Sequence, residues 1–221
     1  MTTKQRGGGG VNEQRRARLR LEISREAARL FWEQGVAATS GDQIADAVDL
    51  STRTLWRHFR SKESCAEPII MQGVVTLLGV LRRWPRQSSL EDHLATELTN
   101  LRLGHETPPV GLADEMLAMR MIRLADTDPA LRTAWLMACD QVEREMCAII
   151  GDRLERPAGD LEVRMHAASA AAVVRVLDEH IGAAALAGDD LTEFEDVTAL
   201  ARRYAHAIRT ATGGAVGDPV A

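Results

Sequence analysis

The sequence predicts an all-α protein: a three-helix helix-turn-helix domain followed by a helical bundle body of about six helices. Three observations predict it. Apolar residues recur at spacings of three and four through most of the 221 residues. Helix start and stop signals punctuate those runs. No segment shows the apolar/polar alternation of a strand. Composition agrees, with Ala and Leu dominant and aromatics at only 4%.

In chain order, residues 1–12, with Gly7 to Gly10, read as a disordered tail. From Arg15 to Gln34, Leu19, Ile23, Ala27, Leu30 and Phe31 mark one face of a first helix, and Gly35 is placed to end it. Ser40 followed by Gln43 is a capping box that starts a short second helix. Asp49-Leu50 turns the chain, and Ser51 caps a third helix, Thr52 to Phe59. Ser61 caps the next, with Lys62 and Glu63 in its first turn. Two short capped helices about a tight turn make a helix-turn-helix unit. Ile44, Ala45, Val48, Leu50, Leu55 and Phe59 are expected to meet Leu30 and Phe31 in one small core.

The rest reads as helices near 62–83, 89–103, 112–125, 129–155, 160–187 and 192–210. Breaks fall at Pro85, at Pro108-Pro109-Gly111, before Pro129, at Pro157-Ala158-Gly159 and at Gly188-Asp189-Asp190. Residues 212–221, with Gly213, Gly214, Gly217 and Pro219, read as a flexible tail. The domains are then 13–64, a helix-turn-helix head, and 65–211, a body.

Composition bounds the function. The net charge of −5 splits unevenly: residues 1–65 carry 12 Lys/Arg against 8 Asp/Glu, and residues 66–221 carry 15 against 24. A basic head on an acidic body points to a polyanion meeting the head alone. Cys65, Cys139 and Cys147 are too few and too scattered for a disulfide framework and suit a reducing cytoplasm. No signal peptide or membrane span is expected. No nucleophile elbow, zinc motif or phosphate loop is present, so an enzyme, a metal site and a cofactor are not expected. Abundant Arg and Ala with only two Lys fit a GC-rich bacterial genome.

The stretch from Thr39 to Glu63, TSGDQIADAVDLSTRTLWRHFRSKE, resembles the signature of the TetR family of transcriptional regulators. The resemblance is detailed over residues 15–64 and extends beyond them as length and helical pattern. Two positions depart from it. Asp49 stands where the family has a turn Gly, in a place that favours a left-handed backbone, which Asp tolerates. Trp56 stands where Tyr or Phe is usual.

The third helix is the natural reader of the major groove, with Thr52 and Arg53 at base edges. Arg53 is suited to guanine O6 and N7, a contact worth about 1–3 kcal/mol of discrimination. Trp56 is placed for a thymine methyl or the sugar-phosphate edge. The resemblance implies phosphate contacts from Thr54, Arg57, His58 and Lys62, with Ser40 and Gly41 at the start of the second helix. One such unit makes few base contacts, so a homodimer on palindromic double-stranded DNA is expected. The helices near 160–187 and 192–210 are the candidate interface, which the resemblance supports.

The resemblance further implies a repressor released by a small-molecule effector bound in the body. Met116, Met119, Trp135, Cys139 and Arg175 are the candidate ligand contacts, and the effector is expected to be apolar. The rival readings are a ligand-binding or scaffold protein of the same fold without operator binding, and an activator.

Overall fold

The computed structural model describes residues 8–103, 112–187 and 196–220. The breaks expected at Pro108-Pro109-Gly111 and at Gly188-Asp189-Asp190 lie outside the described residues. Those described form helices α1 Gly8–Gln34, α2 Gly41–Asp46, α3 Thr52–His58, α4 Glu67–Arg82, α5 Leu90–Arg102, α6 Leu112–Leu124, α7 Pro129–Leu154, α8 Leu161–Ala187 and α9 Val197–Ala211. A 3-10 turn, Glu63–Ala66, joins the head to α4.

Local chemistry sets the boundaries. Gly35 ends α1 with φ +88°, a left-handed conformation that costs glycine least, and its N–H reaches the Phe31 carbonyl at 3.0 Å. The Ser40/Gln43 capping box closes in both directions, at 3.2 and 2.8 Å. Asp49 holds φ +54° between α2 and α3, the left-handed turn its position demands. Ser51 accepts from the Thr54 N–H at 3.3 Å. Asp128 accepts from Ala130 and Leu131 with Pro129 behind it, opening α7.

One continuous core runs through head and body. In the head, Ile23, Ala27, Phe31, Ile44 and Leu55 are wholly buried, and Val48, Leu50 and Leu30 pack around them. The head meets the body through α1, which touches α4 and α6. The buried Ser24 hydroxyl there accepts the Ile69 N–H at 3.0 Å.

Three features differ from expectation. First, α1 begins at Gly8, so residues 8–12 are helical; residues 12–18 are exposed all round, which is why no apolar period announces them. Second, Glu63–Arg82 is apolar and long enough to cross a membrane by composition alone; half of that window is buried, and its Ile70, Val74 and Leu81 face the body's interior.

Third, residues 212–220 form a fixed strap, not a loose tail. Gly213 and Gly214 take positive φ and turn the chain back along α5. The Leu90 N–H then reaches the Gly217 carbonyl at 2.8 Å, and the Val220 N–H reaches that of Arg86 at 2.7 Å. The buried Arg153 guanidinium collects the carbonyls of Pro85, Arg86, Ser88 and Asp218 and lies over the Trp84 ring. The glycines that suggest flexibility in the sequence supply the turns of the strap.

Arg153→Ala leaves those carbonyls without their donor, so unfolding stability is expected to fall by about 3 kcal/mol. Urea denaturation reads the loss, and limited proteolysis is expected to cut first after residue 212.

Candidate DNA-reading head and body cavity

The head is held rigid by contacts that spend several of the residues expected at DNA. Ser40 is consumed by the capping box. The Thr52 hydroxyl donates to Asp42 Oδ1 at 2.6 Å, tying α3 to α2. The Thr54 hydroxyl lies 2.8 Å from that of Ser51. Lys62 is a correction: its ammonium donates to the carbonyls of Val36, Ala37 and Thr39 at 2.6, 3.3 and 2.8 Å. All three of its protons are committed to the loop between α1 and α2, and the ammonium is turned inward from the phosphate contact expected of it.

What remains outward on α3 is Arg53, Trp56 and Arg57. Among the described residues neither Arg53 nor Arg57 enters an ion pair, so both guanidiniums stand free in solvent. Trp56 is 43% exposed. The rest of its indole lies on the backbone of Gly41: a Cβ there would stand 2.2 Å from the ring. Gly41 therefore makes room for the tryptophan.

His58 closes α3. Its carbonyl accepts from Arg20, whose guanidinium also lies over the Phe59 ring at 4.4 Å. Burial, then the charges of Arg16, Arg20 and Arg57, hold its pKa below the ordinary histidine value. It stands neutral at pH 7 and offers a ring N–H, not a charge. Arg16 and Arg20 belong to the positive face around the recognition helix, a role sequence reading missed because α1 and α3 are far apart in the chain.

The body encloses a cavity of about 280 Å³ among α4 to α9. Met119, Trp135, Cys139 and Arg175 meet on its wall, as expected. Met116 does not: Glu115, Ala118, Met119 and Ile122 are the face of α6 turned to the cavity, and Met116 is 36% exposed outside it. Unanticipated walls come from Leu77 on α4, Leu98 on α5 and Tyr204 on α9. Cys65 and Cys139 are both pushed up to about 12 by burial, so neither is a reactive thiol.

One end of the cavity is polar. Tyr204 donates to Asp178, and Glu179 receives Arg132 at 2.7 Å, the Trp135 indole N–H at 2.8 Å and Arg175 at 3.0 Å. Burial lifts Asp178 to about 6 despite the tyrosine. On the head side, Asp114 of α6 takes Arg25 of α1 through two bonds of 2.7 Å. The helix that walls the cavity is thus clamped to the first helix of the head.

The expected dimer helices divide. On α8, Leu161, Met165 and Val176 are exposed, and Leu136 and Met137 of α7 are exposed too. On α9, Ala201, Ala205 and Ile208 are buried against the body, while Arg202, Arg203, His206 and Arg209 face out. The apolar period of α9 records its seat on α5 and α8.

A rigid three-helix head with an Arg-bearing recognition helix, on a hollow helical body, defines a helix-turn-helix regulator fold. Residues 23–69 match the model of the bacterial regulatory proteins of the tetR family. The HTH-type transcriptional regulator TcmR of Streptomyces glaucescens is 31% identical over 150 residues, 66% of this chain and 65% of TcmR. The HTH-type transcriptional repressor KstR2 of Rhodococcus jostii is 40% identical over 63 residues, 28% of this chain and 31% of KstR2. The chain thus matches somewhat under two thirds of the one and about a third of the other. Among solved structures, Salmonella enterica GusR superimposes with a TM-score of 0.55 at 22% identity, over 88% of this chain and 94% of GusR. Thermus thermophilus FadR in complex with lauroyl-CoA gives 0.54 at 20% identity, over the same shares, 88% and 94%. Over residues 23–69 the chain carries the helix-turn-helix region of the TetR family.

Two outcomes follow from this geometry. Gly41→Ala drives a methyl into the Trp56 ring, so the indole must swing outward; a loss of about 1–3 kcal/mol is expected, with red-shifted tryptophan emission. For Asp178, a folded pKa of about 6 against 3.8 means the folded state holds its proton more tightly. The stability this gives is complete below pH 3.8 and disappears as pH rises through 6. Asp178→Asn is therefore expected to escape a decline of about 2 kcal/mol that the parent shows between pH 4 and 7 in denaturant titrations.

Proposed function

We propose that the protein is a sequence-specific transcriptional regulator, a repressor that binds a palindromic operator as a homodimer and leaves it when a small molecule enters the body cavity. The observation that carries this is the recognition helix: its caps and its links to α2 are complete, and Arg53, Trp56 and Arg57 still project unspent. A scaffold protein has no need of free guanidiniums on a helix held this firmly. Residues 13–64 are the reading head and 65–211 the sensing body, and a DNA partner places the protein in a bacterial cytoplasm.

Arg53 reads a base pair, Trp56 lies along a thymine methyl or the backbone, and Arg57, with Arg16 nearby, meets phosphates. His58, Thr52 and Thr54 hold the reader in shape. The homodimer seat is the exposed apolar face of α8 with α7, centred on Met165 and Val176, and α9 lies beneath it. A ligand that fits the cavity only when α6 shifts pulls the Arg25–Asp114 clamp with it and turns the head relative to its partner. The pairing of TcmR and KstR2 with regulator and repressor roles supports the sign of the reading.

Selection from a random duplex pool tests it. A palindromic site is expected, with half-sites about 34 Å apart. Arg53→Ala is expected to lose about 1–3 kcal/mol at one symmetric pair of positions and leave the others unchanged. Failure to enrich any site at low salt would sink the proposal in favour of the scaffold reading.

A further inference from the structure

The polar end of the cavity restricts its occupant. At about 280 Å³ the space lies at the lower end of ligand sites, which span about 300–1,000 Å³. Three charged side chains reach it: Glu115, Arg175 and Asp178. Arg175 is committed to Glu179 at 3.0 Å, one turn along α8, and Arg132 reaches the same carboxylate from α7. Glu115 has a partner of its own. Tyr204 fills one oxygen of Asp178. The second oxygen of Asp178 receives no donor from the described residues.

A buried charge must find an uncommitted counter-charge, or its desolvation is not repaid. Here Arg132 and Arg175 are both spent on Glu179, and Tyr204 alone serves Asp178. An anionic ligand would face Asp178 and Glu115 with both arginines already held. A cationic one would lie against Arg175. A neutral donor meets neither objection, and an acceptor stands open for it.

We infer, on the reading that this cavity is the effector site, that the effector is an uncharged, mainly apolar molecule bearing a hydroxyl group that donates to Asp178, and that carboxylates and phosphate-bearing acyl carriers are refused. The wall so built differs in its demand from the lauroyl-CoA held by the FadR neighbour. Trp135, Leu98 and Val174 supply the apolar surround, and Met119 adapts to the outline of the ligand.

Two matched series test this by isothermal titration of the full chain at pH 7.5. One is 2-naphthol, 2-methoxynaphthalene and 2-naphthoate; the other is 1-decanol, its methyl ether, decanoate and decylamine. In at least one series the alcohol is expected to bind tenfold or more tighter than its ether and its charged analogues. Asp178→Ala is expected to reduce the alcohol to the affinity of the ether. The parent protein's series decides the matter even if the variant does not fold. A carboxylate or amine that binds as well as the alcohol overturns the inference, as does an ether equal to it. Operator release is read separately. Alcohols that bind and leave the operator occupied uphold the ligand class and overturn the effector role. If no probe of either series binds, the cavity is not a site for apolar molecules, and both readings fall.

Discussion

The ammonium group of Lys62 on the carbonyls of the loop between α1 and α2 is the contact on which the presentation of the head depends. Carbonyls in an irregular loop have no helix ladder to join, and in a small three-helix domain there is little else to satisfy them. By reaching back from the far side of α3, Lys62 satisfies them and fixes the angle between α1 and the helix pair. The remaining devices act within that frame. Asp49 bends α2 into α3, Thr52 ties α3 back to Asp42, and Gly41 yields its side-chain volume to Trp56. An indole in place of a smaller ring at position 56 is thus matched by the absence of a Cβ fifteen residues earlier.

In the body the same economy governs charge. Buried or half-buried ions are paired before any ligand arrives: Arg25 with Asp114, Arg175 and Arg132 with Glu179. Arg153, which has no carboxylate, is held by carbonyls and an aromatic face. Burial lowers its pKa, yet an arginine this basic keeps its charge. Head and cavity share α6, so whatever alters the packing of Met119 or Ile122 acts on the helix that carries Asp114.

What could be read in the sequence was local. The capping box at Ser40, the left-handed stops at Gly35 and Asp49 and the Asp128-Pro129 start each depend on residues within four positions of one another, and all stand in the structure. Four of the five ligand candidates reached the cavity because helical periodicity reports which side of α6, α7 and α8 is apolar. Met116 failed because periodicity is soft by one residue at the edge of a stripe. The inward turn of Lys62 was not legible because a lysine beside a recognition helix and a lysine bracing a distant loop look alike in one dimension. The strap after α9 was missed for a related reason: glycine marks a turn whether or not that turn is docked.

The position of α9 bears on the order in which the protein is made. The three helices of the head have all emerged once Ile69 has, with α4 and α6 still to pack against α1. The cavity wall waits for Leu200, Tyr204 and Ile208, more than a hundred residues later, and for the strap that binds α9 to α5. At bacterial synthesis rates of about 5–20 residues per second, that interval is several seconds or more. A nascent chain passes through a stage with the three head helices made and an open, apolar half-cavity facing solvent. Chaperone demand and aggregation during expression will therefore track the body.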